Sequence, residues 1–378
     1  MEALELRDGD SGSFHGKGVS KAVSNVNKVI GPKVKGHDAA GQREIDELMI
    51  ELDGTPNKER LGANAILSVS MACARAAANG RRASLFRQLR ASKAYTLPVP
   101  MMNVINGGEH AGNELAVQEF LIEPVGADSC ADAVRMGAEV YQSLKSVLTS
   151  RYGRGAINVG DEGGFAPPLK KTAAALDAIR DAVKGSGYSE GDVRMGIDAA
   201  SSTFFGKDRK YHIDGVAMGE AELGDYYASL RDEYDLLTLE DPFEEDSFGP
   251  FTSITRRLGR STVIIGDDIY VTNASRIKQG VEEKAGNAVL IKLNQIGTVS
   301  ETVDAMGLGF KAGWTVVVSH RSGETEDPFI AHLATAFGAP FIKTGAPARG
   351  ERVAKYNELI RIQESLGSGA RFAGSRFA

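Results

Sequence analysis

From Val99 to the end of the chain, short apolar runs alternate with helical stretches, and this alternation is what most restricts the fold. The runs are Val99–Ile105, Val117–Glu123, Ile157–Val159, Val193–Ile197, Leu236–Leu239, Val263–Ile265, Ala288–Leu293, Thr315–Val318 and Phe341–Ile342. Strands separated by helices pair in parallel as β/α units. A closed barrel of such units takes eight strands, so one of these nine runs is surplus.

Residues 1–92 read as mainly helical. Val19, Val23, Val26 and Ile30 recur at three- and four-residue spacing, as do Ile45, Leu48, Met49 and Leu52, with Gly54 as a stop. An alanine-rich helix is expected over residues 62–78 and a short one over 84–89. The pattern changes at Leu97-Pro98, so a smaller N-terminal domain (1–92) and a barrel domain (97–378) are expected. A length of 378 residues suits that pairing.

The ends of the runs carry the chemistry. Gly196-Ile197 leads into Asp198, Thr238-Leu239 into Glu240-Asp241, and Ile265-Gly266 into Asp267-Asp268. Leu290-Ile291 leads into Lys292, Val317-Val318 into Ser319-His320-Arg321-Ser322, and Phe341-Ile342 into Lys343. The carboxyl ends of barrel strands open on one face, and that face carries the active site. A single acid after a strand reads equally as a helix cap or turn residue. Lys292 and Lys343 do not, because the N-terminal dipole of a helix repels cations.

Asp198, Glu240 and Asp267 form an all-oxygen donor set, which selects magnesium, calcium or manganese over zinc or copper. Magnesium usually takes substrate oxygens as well, so three carboxylates shared with a substrate are expected. Lys292 is the candidate base. A nearby metal ion and the Lys343 ammonium would favour its neutral form, and the metal would stabilise charge developing on a carbon acid. Ser319 to Gly323 offers hydroxyls, a guanidinium and backbone N–H groups suited to phosphate, though a surface loop fits as well. Glu162, in the glycine-rich stretch Val159–Pro167, and Glu119, in an apolar run, are candidate general acids if burial raises a carboxyl pKa. Turn and edge-strand positions are their plainer readings.

Composition excludes some classes. The net charge is −6 with both signs interspersed, so nucleic acid is not an expected partner. No run reaches the ~18 apolar residues of a membrane span, so no membrane partner is expected either. The two cysteines, Cys73 and Cys130, have no metal-type spacing. The acidic start, Met1-Glu2-Ala3-Leu4-Glu5, lacks a signal-peptide core, which points to a cytoplasmic location.

Several stretches together resemble the enolases: Glu2–Asp10, Gly62–Leu67, Asn103–Gly108, Val159–Pro167, Glu240–Phe243, Lys292–Gly297, Ser319–Asp327 and Lys343–Pro347. They are collinear over nearly the whole chain. The resemblance implies an α/β fold: two antiparallel strands followed by β/α units, with a mainly helical remnant of an α+β domain ahead. It implies glycolytic, magnesium-dependent, reversible dehydration of 2-phosphoglycerate to phosphoenolpyruvate. In that scheme Asp198, Glu240 and Asp267 hold Mg2+, and Lys292 removes the proton from carbon 2. Glu162, backed by Glu119, protonates the departing hydroxyl. Lys343 neutralises the substrate carboxylate, Arg321 and Ser322 (with Ser319 beside them) hold the phosphate, and His110 and His320 close over the substrate. The surplus run becomes the Val159–Pro167 loop.

The resemblance also implies a homodimer whose interface is partly missing, since the family's N-terminal sheet and serine-bearing loop precede the Glu2-Ala3-Leu4 match. The alternative reading is a catalytically impaired or fragmentary enolase-fold protein with a binding or structural role. Ile269-Tyr270 and Pro340-Phe341 depart from the family pattern, and Tyr270 and Phe341 are expected to reshape packing at the barrel mouth.

Overall fold

Three- and four-residue spacing does yield helices in the first ninety residues. The structure, a computed structural model, describes residues 2–378. Gln42–Asp53 ends at Gly54, whose φ of 73° is a left-handed stop that glycine adopts without a Cβ penalty. Ala63–Gly80 buries Ile66 together with Ala63, Ala65, Ser70, Ala74, Ala77 and Ala78, small side chains that allow close approach to neighbouring elements. The Val19–Ile30 pattern is less regular: an α-helix over Ser20–Asn25 passes into a π turn over Val26–Ile30. Among the described residues, none before Tyr95 is in a strand.

The barrel strands are β1 (Val99–Asn106), β2 (Glu119–Glu123), β3 (Arg194–Asp198), β4 (Thr238–Glu240), β5 (Val263–Gly266), β6 (Ala288–Ile291), β7 (Thr315–Ser319) and β8 (Phe341–Lys343). They close into one barrel in chain order, with Phe341 of β8 opposite Val99 of β1. β2 runs antiparallel to both β1 and β3, and the other pairings are parallel. Two helices, Cys130–Tyr152 and Thr172–Gly185, connect β2 to β3.

The strands read as unbroken apolar runs because both faces are buried. One set of positions fills the barrel interior: Val99, Met101, Leu121, Leu237, Ile265, Leu290, Val317 and Phe341. Their neighbours, including Met102, Ile122, Ile264, Val289, Val318 and Ile342, pack outward under the helices.

The surplus run is Ile157–Val159. Arg154–Ile157 forms a 3-10 turn, and Val159, 46% exposed, makes only an isolated bridge to Phe165. Phe341 is not at the mouth, because it begins β8 rather than ending it. It packs in the lower interior, its ring 4.5 Å from that of Phe377. Tyr270 is fully buried among Phe248, Trp314 and the bare backbones of Gly266 and Gly280, away from the cavity described below. Among the described residues no helix is long and apolar enough to cross a membrane.

Candidate active site

Parallel strands deliver their carboxyl ends to one mouth. Asp198 and Glu240 end β3 and β4, Asp267 and Lys292 follow β5 and β6, and Ser319 and Lys343 end β7 and β8. The reversed β2 contributes its first residue instead, so Glu119 lies opposite Asp198, which in turn lies opposite Glu240. A cavity of about 100 Å³ is lined by His110, Glu119, Glu162, Asp198, Asp267, Lys292, Ser319, His320, Arg321, Ser322 and Lys343. Every site residue named from the sequence therefore lines one space, except Glu240, which lies fully buried behind it.

The site holds more acid than base. Six buried carboxyls (Glu119, Glu162, Asp198, Glu240, Asp241 and Asp267) face two ammonium groups and the Arg321 guanidinium. The Lys343 Nζ lies 2.8 Å from Asp198, 2.9 Å from Glu240 and 3.1 Å from Glu119. Those carboxylates outweigh burial and hold Lys343 firmly charged. Burial and the Asp198 charge nevertheless push Glu240 well above the usual carboxyl range, and Glu240 Oε2 has no hydrogen-bond partner. One oxygen each of Asp241, Asp267 and Asp268 lies within 4.8 Å of the others, whereas Asp198 and Glu240, the other two expected ligands, are bridged by Lys343. A buried surplus of carboxylate oxygens with an orphan among them fits a hard divalent cation.

Lys292 is pulled in two directions. Burial lowers its pKa, but the adjoining Asp267 carboxylate more than compensates, and the net shift is upward. In this arrangement it is an ammonium paired with Asp267, not a neutral amine.

The acid pair also differs from expectation. Burial and the Glu162 charge raise Glu119 well above its ordinary value. Glu162 is driven up by burial too, but the His320 ring facing it through Nε2, the Lys343 ammonium and His110 outweigh this and hold it low. Glu119 therefore keeps the proton and Glu162 the charge. His110 Nδ1 sits between them, 3.7 Å from Glu119 and 4.0 Å from Glu162. Asn103 donates to Glu162 at 3.2 Å. Arg321 points its guanidinium at Glu2 (2.6 Å) and Asn294 (3.1 Å), while Ser319 is buried and Ser322 exposed.

Residues 94–378 match the family model for the enolase C-terminal TIM barrel domain, and residues 1–89 match that for the enolase N-terminal domain. The chain belongs to the enolase family. It is 57% identical to an enolase of Methanocaldococcus jannaschii over 376 residues, covering 100% of this chain and 88% of the relative. It is 55% identical to an enolase of Methanococcoides burtonii (98% and 87% covered) and 54% identical to one of Thermococcus kodakarensis (100% and 88%).

Sequence reasoning missed three residues that shape this enolase mouth. Asn103, on β1, supports Glu162, and its only signals were a polar residue in an apolar run and its place in the Asn103–Gly108 stretch. Asp241 has no role of its own among the strand-end acids in the sequence reading, yet its two oxygens accept the backbone N–H groups of Asp267 and Asp268. Arg352 is a fully buried cation in the first turn of the helix Gly350–Leu366. That is an unfavourable place for positive charge, and the misfit was a usable signal.

Proposed function

We propose that this enolase interconverts 2-phosphoglycerate with phosphoenolpyruvate and water in glycolysis, with Mg2+ held by Asp198, Glu240 and Asp267. The observation that carries the reading is the mouth itself: a buried cluster with more carboxyls than cations, in which Lys292 meets Asp267 and Lys343 meets Asp198, Glu240 and Glu119. A divalent cation on those carboxylates would stabilise charge developing on the substrate carboxylate and relieve Lys292 of the Asp267 charge that keeps it protonated.

Lys292 then takes the proton from carbon 2, and Lys343 balances the substrate carboxylate. Glu162 and Glu119, which together hold one proton, deliver it to the hydroxyl leaving carbon 3. Arg321, Ser322 and Ser319 receive the phosphate, with Arg321 exchanging Glu2 for a doubly charged partner. His110 and His320 cover the acid pair and exclude water. The division at residues 92–97, a homodimer and a cytoplasmic location belong to the same reading, supported by the family resemblance and, for the division, by the change from helices to strands.

The test is phosphoenolpyruvate formation from 2-phosphoglycerate by the purified chain, with magnesium titrated and Lys292→Ala as control. Magnesium-dependent turnover that falls by about 10²–10⁴ in the control is expected for loss of the general base. A folded, magnesium-binding protein without turnover would sink the proposal.

A further inference from the structure

The guanidinium of Arg352 is buried where three segments of the site meet, and all four of its terminal N–H groups are used. Nη1 lies 2.6 Å from His320 Nδ1 and donates to the Arg321 carbonyl at 2.7 Å. Nη2 donates to the carbonyls of Asp161 at 3.0 Å and Ser322 at 2.6 Å. Nε has no hydrogen-bond partner, and the nearest carboxylate oxygen, on Glu351, is 3.7 Å from it. The charge is therefore met chiefly by a ring nitrogen and three carbonyls, with the Glu351 carboxylate at the edge of ion-pair distance. Arg352 is packed against Gly345, whose φ is +81° and where a Cβ would come within 2.9 Å of Arg352 Cδ and 2.8 Å of the Glu162 carbonyl.

A guanidinium has donors only, so the ring nitrogen it meets must offer a lone pair. A second proton on His320 would set N–H against N–H. That fixes the neutral ring with its proton on Nε2, and Nε2 faces Glu162 Oε2 at 3.2 Å. The pair is close but not aligned as a hydrogen bond, as is common before a substrate tightens a site.

We propose that Arg352 is a positioning residue of the acid pair: it locks His320 as the neutral, Nε2-protonated tautomer that presents N–H to Glu162, and ties the Asp161 and Arg321–Ser322 backbones to the same fork. The inference rests on the roles given above to Glu162 and His320. A lysine at 352 keeps the charge but has three donors and no fork, so it cannot satisfy four acceptors.

The first readout does not depend on turnover. In the 15N-labelled chain, which has six histidines, the His320 ring resonances are identified by their loss in His320→Asn. They are expected to report a bare Nδ1 and a protonated Nε2 at neutral pH. A protonated Nδ1 overturns the proposal, even if the chain has no enolase activity. The second readout uses Arg352→Lys and Arg352→Met. The expected result is a kcat lower by about 10–100-fold, as for other residues that orient a ligand or catalytic histidine, with KM changed less than threefold. His320 should lose its single tautomer, and free guanidinium ion should partly restore kcat in Arg352→Ala. Folded Arg352→Lys with wild-type kcat and an unchanged His320 tautomer overturns the proposal. If wild type shows no turnover while His320 has the expected tautomer, the functional reading fails and the tautomer lock stands.

Discussion

Asp241 Oδ1 accepts the backbone N–H of Asp267 at 3.0 Å, and Oδ2 accepts that of Asp268 at 2.8 Å. One carboxylate at the end of β4 thereby fixes the backbone that aims the next strand's carboxylate into the cavity. It does so from a left-handed φ of 40°, uncommon for a residue with a side chain. Asp241→Asn replaces one acceptor by a donor against an N–H. We expect magnesium affinity to fall by about 10–100-fold, the usual effect of disturbing a group behind a metal ligand, with the fold retained. Titration calorimetry of both proteins with magnesium checks this, and equal affinities would refute the role given to Asp241.

A cation on the carboxylate cluster binds the folded chain and not the unfolded one. At a magnesium concentration 100-fold above Kd this adds about 2.7 kcal/mol of stability. Scanning calorimetry should show a melting temperature that rises with magnesium and returns to the metal-free value with a chelator, which should also abolish turnover. Identical melting curves with and without magnesium would rule out the cluster as a metal site.

The helix-and-strand order of the barrel was legible because strands buried on both faces must be apolar throughout, and charges at their ends stand out against them. Strand direction leaves no such mark. Glu119 could be seen as an acid in an apolar run, but only the reversal of β2 puts it at the mouth. Phe341 was placed at the wrong end of its strand for a related reason: a run of three residues does not say which of them lies deepest. The charge states of Lys292, Glu119 and Glu162 depend on neighbours contributed by other strands, which spacing along the chain does not contain. Arg352 finds its partners on two separate loops, at Asp161 and at His320–Ser322, and could be suspected only from its poor fit to a helix start.

Glu123 closes β2 at the opposite end of the barrel from Glu119. It is fully buried, accepts from Thr238 Oγ1 at 2.6 Å, and has no partner for Oε2. Burial raises its pKa to about 7 from an ordinary 4.5, although Thr238 and Arg194 pull it down. The folded state thus holds a proton that the unfolded state releases. Stability should fall as pH rises from about 4.5 to about 7 and stay level above that, a loss of about 3 kcal/mol. Glu123→Gln should remove that slope and match wild type only at the acid end. Urea denaturation at pH 5 and pH 8 checks this, and parallel pH dependences would refute it.

Lys58, 3% exposed, reaches from the N-terminal helices to Glu301 on the barrel, with Nζ to Oε2 at 3.0 Å. Thr298 also donates to that carboxylate, at 2.7 Å, and Glu301 is about one-third exposed, so water can partly replace the lysine. Lys58→Met should therefore cost about 1–2 kcal/mol rather than the 3–5 of a fully buried pair. The urea midpoint measures this, and an unchanged midpoint would show that the pair does not hold the two parts together.

The seam between β8 and β1 joins residues from opposite ends of the barrel sequence, whereas β2 pairs with the strands before and after it in the chain. Because the entropy of closing a long loop precedes its reward, that seam forms late in folding. Lys343 rides on the last strand. Until it docks, Asp198, Glu240 and Glu119 converge without the ammonium that joins them, and β1 and β7 are open edges. The final step of assembly and the charge balance of the mouth are thus the same event: a nascent barrel lacking its eighth strand is both sticky at its edges and self-repelling at its centre.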